Sequence, residues 1–534
     1  MTRPQSRETL LIGSKGPPFY VKPTAQKRTS RCDTTSRLDI CHGQMITESV
    51  QSPLAIERSW TMANGYVPAA DARCHIVLVP GFGGFDALGR VQYYADITRL
   101  FQQWKRRYGP LPAVLHYFDN LPTAAVVTRA TRLRKYLAKR MARGEILEND
   151  QVVLVGHSTG GLDIRQLIWD LHDLKNRRVP VDGGCSVSAR AIRRCLKGVV
   201  FLSVPHWGTN VADWVYSHSV LRKTVIADLR AAFAGSHLYL LDRIEAGIAG
   251  SAAAFSGAEM LLALRDALTE ANDHGGQDPS RIADAQEAAS ELELYLSHMA
   301  ADFRVINDLT SEPHEGEMSP AHFDDEDRKK ELALWNKPLI RTLSYATVGG
   351  RPFRFPSRSG CPAPVFSLTN PCDYLDITQS CGLSAGTDVS YRFCYRACAG
   401  GPFRWPIGSG KVTRVLGPPP AQPIELWDND GIVNTASMLW PGCETTLVLA
   451  DHLDIVGHYR LRPAQPEPAE PGSEPPRTYQ SYDSLQSSPL FDEKTFKDVW
   501  TEIFFFSAIP SAFGQHKKSQ PRSVATAAAA GTGC

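Results

Sequence analysis

Long apolar runs are the first thing this sequence lacks. No stretch reaches the about eighteen consecutive apolar residues that a membrane-spanning helix needs, and the nearest candidate, residues 246–264, is interrupted by Glu259 and loosened by glycine and serine. A soluble or peripheral protein is expected. Residues 1–30 contain no apolar core of the kind a secretory leader carries, so export is not expected and a cytoplasmic location is the default. Residues 1–39, rich in Arg, Lys, Ser and Thr with few acids, read as a disordered tail, with a mitochondrial transit peptide as the alternative. Charge imbalance is missing too. A net charge of +2 over 534 residues gives no reason to expect nucleic acid as a partner. The Lys/Arg cluster in residues 131–143 reads as a solvated helix face.

Cysteines of the spacing that holds zinc are also absent. The 12 cysteines are scattered, except for Cys361, Cys372, Cys381, Cys394 and Cys398 in one Gly/Pro-rich stretch. With no leader visible, free thiols are favoured over disulfides there.

What is present is a strand, a tight turn and a helix. The β-branched run Val152, Val153, Leu154, Val155 enters Gly156-His-Ser-Thr-Gly160 and leaves through Leu162, Ile164, Leu167, Ile168 and Leu171 at helical spacing. A Gly-x-Ser-x-Gly match arises by chance in many chains, but strand before and helix after are what a nucleophile elbow requires. Ser158 is therefore the candidate nucleophile; a purely structural glycine turn is the plainer alternative. A second buried-strand run, residues 75–79, feeds Pro80-Gly-Phe-Gly-Gly-Phe-Asp86. Backbone N–H groups in such a loop could stabilise an oxyanion, with Phe82 and Thr159 as the donors in the arrangement where one comes from this loop and one from the residue after the serine.

An acid and then a histidine should follow. Residues 424–434 and 450–457 supply Asp430 and His452, each just after a strand-like run, residues 423–427 and 445–449. Asp428 stays open as the acid, and His458 or His516 as the base. In this scheme His452 takes the serine proton and Asp430 fixes its tautomer.

Taken together, residues 77–86, 156–161, 203–214, 429–437 and 451–457 resemble the bacterial family I triacylglycerol lipases of the Pseudomonas, Burkholderia and thermophilic-bacillus types. The likeness covers roughly residues 74–218 and 338–508. It implies an α/β-hydrolase fold, a mostly parallel sheet flanked by helices, and the same assignment of Ser158, Asp430, His452, Phe82 and Thr159. It also places His206 in a structural turn. Pro80 departs from the histidine usual before the oxyanion-loop glycine. The resemblance admits a structural calcium held partly by Asp454, with Asp373, Asp376 and Asp388 in the right stretch of chain; calcium takes six to eight oxygens, and no cofactor is required for the chemistry. No zinc ligand set is recognisable.

The organisation expected is an irregular extension over residues 1–70 and a first core part over 71–218. A helical, lid-like insertion over 219–337 follows, then a second core part over 338–510 containing the Cys/Pro-rich insertion, and a disordered tail over 511–534. The amphipathic stretches 220–233 and 256–268 favour a long-chain acyl ester and peripheral membrane contact through the lid, although apolar stripes of this kind usually serve helix packing. The function expected is ester hydrolysis, with acyl transfer on the same fold or a non-catalytic lipid-binding relative as alternatives. Oligomeric state does not follow from the sequence.

Overall fold

The central strand runs are apolar at nearly every position, which is the pattern of strands covered on both faces. In the computed structural model they form a seven-stranded sheet: β1 (Cys74–Val79), β2 (Ala113–Tyr117), β3 (Gln151–His157), β4 (Leu196–Leu202), β5 (Arg341–Val348), β6 (Lys411–Leu416) and β7 (Glu444–Leu449), in spatial order β6-β7-β5-β4-β3-β1-β2. Every pairing is parallel. The structure describes residues 72–88, 91–109, 112–175, 177–217, 291, 294, 295, 297, 298, 301–313, 319–336, 340–349, 410–416, 424, 428–441, 443–459 and 491–508, all within the unit Glu48–Cys534. The expected N-terminal extension, most of the lid-like insertion, the Cys/Pro-rich insertion with Asp373, Asp376 and Asp388, and the C-terminal tail with His516 lie outside these residues.

Side-chain alternation divides the core in two. Ile76, Leu78, Val153, Val155, Val200 and Leu202 share one cluster with α1 (Ile97–Tyr108) and the C-terminal helix. Their sequence neighbours Val77, Val79, Val152, Leu154, Val199 and Phe201 point the other way, as the two-residue period of a strand demands. There they meet α2 (Val126–Ala142), α3 (Thr159–Asp173) and the short α4 (Ala189–Cys195). Before β5 the described residues include the helices α5 (Asn210–Ser217) and α6 (Asp325–Asn336), with a single helical turn, Val305–Asp308, between them. The last helix, α7 (Glu493–Ala508), starts where Asp492 Oδ1 accepts the Thr495 N–H at 2.8 Å, an N-cap bond. It buries Trp500, Ile503 and Phe504 against α1. Trp500 Nε1 also donates to the Ile455 carbonyl at 2.9 Å, which ties α7 to the loop after β7.

The topology decides where a site can form. From β1 the chain steps outward to β2, then returns to the other side of β1 to form β3 and β4. Loops leaving the carboxyl ends of β1 and β3 therefore diverge to opposite faces and open a crevice between them. Those two loops are the glycine-rich segment after Val79 and the turn at Ser158. No described helix is long and apolar enough to cross a membrane.

Of the strand-like runs expected before the two triad partners, residues 445–449 fall within β7. In residues 423–427 only Ile424 is described, and it is not in a strand.

Candidate active site

Ser158 joins β3 to α3 with φ 53° and ψ −130°, a left-handed conformation that side-chain-bearing residues rarely adopt and that costs on the order of 1–3 kcal/mol. Glycines make room for it. A Cβ on Gly160 would lie 2.3 Å from the Val79 carbonyl oxygen, and one on Gly161 would lie 2.2 Å from a Val204 methyl. On the facing loop, a Cβ on Gly81 would lie 2.6 Å from the Ser158 Cβ, so the two loops of the crevice are in van der Waals contact. Thr159 is the first residue of α3 and fully buried; an N–H in the first turn has no acceptor within its own helix.

The Gly81–Phe82 peptide is oriented from behind. Arg129, wholly buried on α2, donates from Nη2 to the Pro80 and Gly81 carbonyls at 2.8 and 3.0 Å and from Nη1 to those of Leu121 and Pro122 at 2.6 and 3.2 Å. Its Nε contacts both Asp163 oxygens at 3.1 and 3.0 Å. The chain has no cis peptide among the described residues, so the Phe82 N–H lies on the peptide edge opposite the Gly81 oxygen. Phe82 itself is partly exposed, with Phe303 edge-on at 6.0 Å. Tyr295 Oη donates to the Gly83 carbonyl at 2.8 Å, so one residue of the stretch expected as the lid insertion contacts this loop.

Asp430 and His452 come together at the ends of the strands beyond the elbow. His452 Nδ1 lies 2.7 Å from Asp430 Oδ2, and the His452 N–H donates to the Asp430 carbonyl at 2.9 Å. A carboxylate accepts only, so Nδ1 carries the proton and the neutral imidazole keeps its lone pair on Nε2. Thr347 Oγ1 donates to the same carboxylate oxygen at 2.7 Å, and the N–H groups of Ile432 and Val433 reach Oδ1 at 3.1 and 2.8 Å. With its one proton spent on Asp430, Thr347 Oγ1 accepts from Ser203 Oγ at 2.7 Å. Ser203 also has positive φ, 51°.

The dyad reaches the elbow through His157. Its ring centroid lies 4.6 Å from that of His452, and its Nε2 donates to the His452 carbonyl at 2.8 Å. No hydrogen bond of 3.5 Å or less joins the Ser158 hydroxyl to His452.

The other candidates have different partners. Asp428 is buried, but the bond to His452 Nδ1 is made by Asp430. His458 is buried and donates from Nε2 to the Tyr93 carbonyl at 3.0 Å, and burial pushes its imidazole down to about 4. His206 is buried against Phe201 and Trp440, and desolvation together with Arg165 and Arg328 holds it well below the usual range. Asp454 Oδ2 accepts the Asp451 N–H at 2.8 Å in a local turn. Among the described residues no group of three or more His, Cys, Asp or Glu side chains collects to hold a metal; Asp373, Asp376 and Asp388, the residues expected to join Asp454 around calcium, lie outside the described residues.

A parallel sheet with a strained serine after a central strand, and with an acid–histidine pair from later strands, is the α/β-hydrolase arrangement. The fold is that of an α/β-hydrolase. No family model and no curated protein matches the chain. Solved structures resemble it at low identity. A lipase of Staphylococcus hyicus is 13% identical with a TM-score of 0.40, over 82% of this chain and 96% of that one. Lipase 1 of Pelosinus fermentans is 15% identical with a TM-score of 0.37, over 82% and 100%. The mature lipase BlEst2 of Bacillus licheniformis is 13% identical with a TM-score of 0.33, over 72% and 87%. Similarity at this level says nothing about activity, which has to be reasoned from the side chains.

Several participants escape a reading of the sequence alone. Arg129 leaves one signal, an arginine on the same helix face as Val126, Ala130, Leu133 and Leu137, where the period of α2 faces the core. The basic residues that follow it on α2 were expected to be solvated. Arg132 and Lys139 make solvent-exposed ion pairs with Asp119 and Asp182 at 2.8 and 3.5 Å, and Arg134 makes a half-buried one with Asp170 at 2.9 Å. Thr347 and Ser203 leave no signal, because only strand register brings them to Asp430.

Proposed function

We propose that this protein is a serine carboxylic-ester hydrolase acting on lipid esters. The observation that carries the reading is the strained Ser158 flanked by His157, whose ring contacts a His452 already fixed by Asp430. In the forward step His452 Nε2 takes the proton from Ser158 Oγ as that oxygen bonds to the ester carbonyl carbon. The carbonyl oxygen becomes an oxyanion, facing the N–H groups of Phe82 and Thr159. Collapse breaks the carbon–oxygen bond to the alcohol, which leaves with the proton from His452 and gives an acyl-Ser158 ester. A water then repeats the sequence: His452 takes its proton, its oxygen bonds to the acyl carbon, and the carboxylic acid is released as Ser158 regains a proton. Hydrogen bonds of this kind are often long in a free enzyme and tighten in the substrate complex. Each oxyanion donor is worth about 3–4 kcal/mol.

A lipid-like acyl group is favoured by what borders the crevice. Phe82, in the loop after β1, and Ile432, whose N–H donates to Asp430, are partly exposed apolar side chains packed on the core that contains Phe303 and Val211, a surface that a hydrocarbon chain covers at a gain of about 25 cal/mol per Å². Peripheral contact with a lipid surface belongs to the same reading.

The test is labelling with a fluorophosphonate, together with a p-nitrophenyl ester series from acetyl to palmitoyl. Native protein is expected to label and to hydrolyse esters, with preference for longer chains. Ser158→Ala is expected to do neither. A folded wild-type protein that neither labels nor turns over any ester refutes the proposal, and product that depends on an added alcohol or amine would point to acyl transfer.

A further inference from the structure

Gly81, Ser158 and His452 belong to three separate loops, and hydrolysis needs them in register to within a fraction of an ångström. One run of hydrogen bonds touches all three loops. The Gly81 N–H donates to Tyr93 Oη at 2.9 Å, Tyr93 Oη lies 2.6 Å from His157 Nδ1, and His157 Nε2 lies 2.8 Å from the His452 carbonyl oxygen. Every proton in the run is determined. A carbonyl can only accept, so His157 carries its hydrogen on Nε2. Its Nδ1 therefore accepts, the tyrosine hydroxyl donates to it, and that hydroxyl's lone pair is left for the Gly81 N–H.

We propose that Tyr93 and His157 are positioning residues that hold the oxyanion loop, the nucleophile elbow and the general base's backbone as one unit. The proposal rests on the hydrolase reading above and assigns a task to two side chains that need not touch substrate. Tyr93 is 2% exposed and His157 is wholly buried, so water does not replace either partner. Burial also raises the Tyr93 phenol and lowers the His157 imidazole well below its ordinary range. Both groups therefore stay neutral, and the proton order survives across the working pH range. The run is anchored at both ends. The Gly81 carbonyl is held by Arg129 and the His452 ring by Asp430, so a shift at Tyr93 would be felt on both sides of the reacting carbonyl.

The neighbouring Tyr94 supplies the control. It is 1% exposed, its ring packs on that of Tyr93 at 5.2 Å, and its hydroxyl donates to the carbonyls of Val79 and Val155 at 2.7 and 3.2 Å and faces the His157 backbone N–H, so it shares the surroundings of the run but makes none of its three bonds. Tyr93→Phe, His157→Phe, the double variant and Tyr94→Phe would be compared with wild type on p-nitrophenyl butyrate, with fluorophosphonate labelling of Ser158 and thermal unfolding measured alongside.

The expected result is a fall in kcat of about 10–100-fold for Tyr93→Phe, the scale of a misplacement of about 1 Å, with KM within about threefold and labelling slowed in proportion. The double variant should be no slower than the worse single variant, because a broken run cannot be broken twice. Tyr94→Phe should keep wild-type kcat even if its melting temperature falls. The inference is overturned if Tyr93→Phe keeps kcat within about twofold, if Tyr94→Phe loses as much, or if the two losses multiply. Should His157→Phe fail to fold, the Tyr93→Phe and Tyr94→Phe pair decides alone. A wild-type protein with neither labelling nor turnover would sink the hydrolase reading and this inference with it, whereas an active wild type with unaffected Tyr93→Phe sinks this inference only.

Discussion

Replacing Arg129 with methionine tests the back of the site. The side chain is fully buried, pairs with Asp163 at 2.9 Å and donates to the carbonyls of Pro80, Gly81, Leu121 and Pro122. Methionine fills a similar length and donates nothing. Removing one member of a buried ion pair costs about 3–5 kcal/mol, because the other charge is left without compensation. Asp163 keeps only the bond from Asn120 Nδ2 at 2.9 Å. Even beside Arg129, burial outweighs the attraction and pushes the Asp163 carboxyl up to about 6. Without the guanidinium it rises further and takes up a proton at neutral pH, which softens the penalty without abolishing it. The Gly81 and Pro122 carbonyls keep the N–H groups of Gly84 and Gly83 at 3.1 and 2.8 Å, whereas a carbonyl left with no partner adds about 1–3 kcal/mol if water cannot reach it.

The expected outcome of Arg129→Met is a loss of stability near 4 kcal/mol by urea unfolding at pH 7.5. Activity should fall further than stability explains. With the Gly81 oxygen left only to the Gly84 N–H at 3.1 Å, the Gly81–Phe82 peptide is freer to rotate, and misdirecting one oxyanion donor costs about 10²–10³ in kcat. Arg129→Lys should recover little, since one ammonium cannot span a planar fork that reaches a carboxylate and carbonyls of two separate segments. A folded Arg129→Met within about 1 kcal/mol of wild type and within about threefold in kcat would refute the reasoning on both counts.

Asp430→Asn should lower kcat on the order of 10⁴-fold while leaving fluorescence and circular dichroism unchanged, by analogy with the aspartate of a serine-protease triad; a loss under about tenfold would rule out Asp430 as the acid that orients His452. Gly160→Ala should abolish soluble folded protein or activity, because its Cβ would sit 2.3 Å from the Val79 carbonyl oxygen; a normally active variant would show that the elbow is looser than this distance implies. At the amino edge of the sheet, His75 Nε2 lies 3.1 Å from Asp150 Oδ2 and His75 Nδ1 lies 2.8 Å from His116 Nε2. Only one proton fits between the two ring nitrogens, so the rings cannot both be charged, and burial, the leading cause for each, lowers His75 and takes His116 to about 4. An imidazole depressed in the folded state contributes stability above its unfolded value near 6.5 and loses it as pH falls from there towards 4, on the order of 3 kcal/mol for His116. Urea midpoints should therefore fall between pH 7.5 and pH 4.5, and less steeply in His116→Phe; an equal slope in both proteins would exclude His116 as the titrating group.

Local features were legible in the sequence and pairings were not. The elbow is written in consecutive residues, since strand, glycines, serine and helix must adjoin for the turn to form. Asp430 and His452 could be named from their order after Ser158 and from glycine turns beside strand-like runs, because a parallel sheet delivers its carboxyl-end loops to one edge. Asp428 could be set aside only by seeing which carboxylate meets His452 Nδ1. Thr347 and Ser203 join the network because β4 and β5 are in register, Leu202 opposite Tyr345, and no spacing within either strand announces it. His157 reads in the sequence as a variable position of the elbow, yet it makes the contact that brings His452 to the serine's neighbour.

That contact bears on how parts of the site so far apart in sequence are aligned. Ser158 and His452 are separated by 294 positions of chain (452 − 158), so chain connectivity contributes little to their alignment. A long connecting segment adds loop-closure entropy only slowly, about 0.6 kcal/mol per doubling, but it supplies no rigidity either. Alignment must come from short-range bonds formed after the sheet assembles: Trp500 on the Ile455 carbonyl, His157 on the His452 carbonyl, and Thr347 on Asp430. If this is so, shortening the segment over residues 351–409 should alter stability modestly and leave ester turnover by the folded fraction near wild type. Thr347→Val, with no change in chain length, should depress turnover. The opposite order of effects would mean that the insertion, and not the bonds at the strand ends, sets the geometry of the acid and the base.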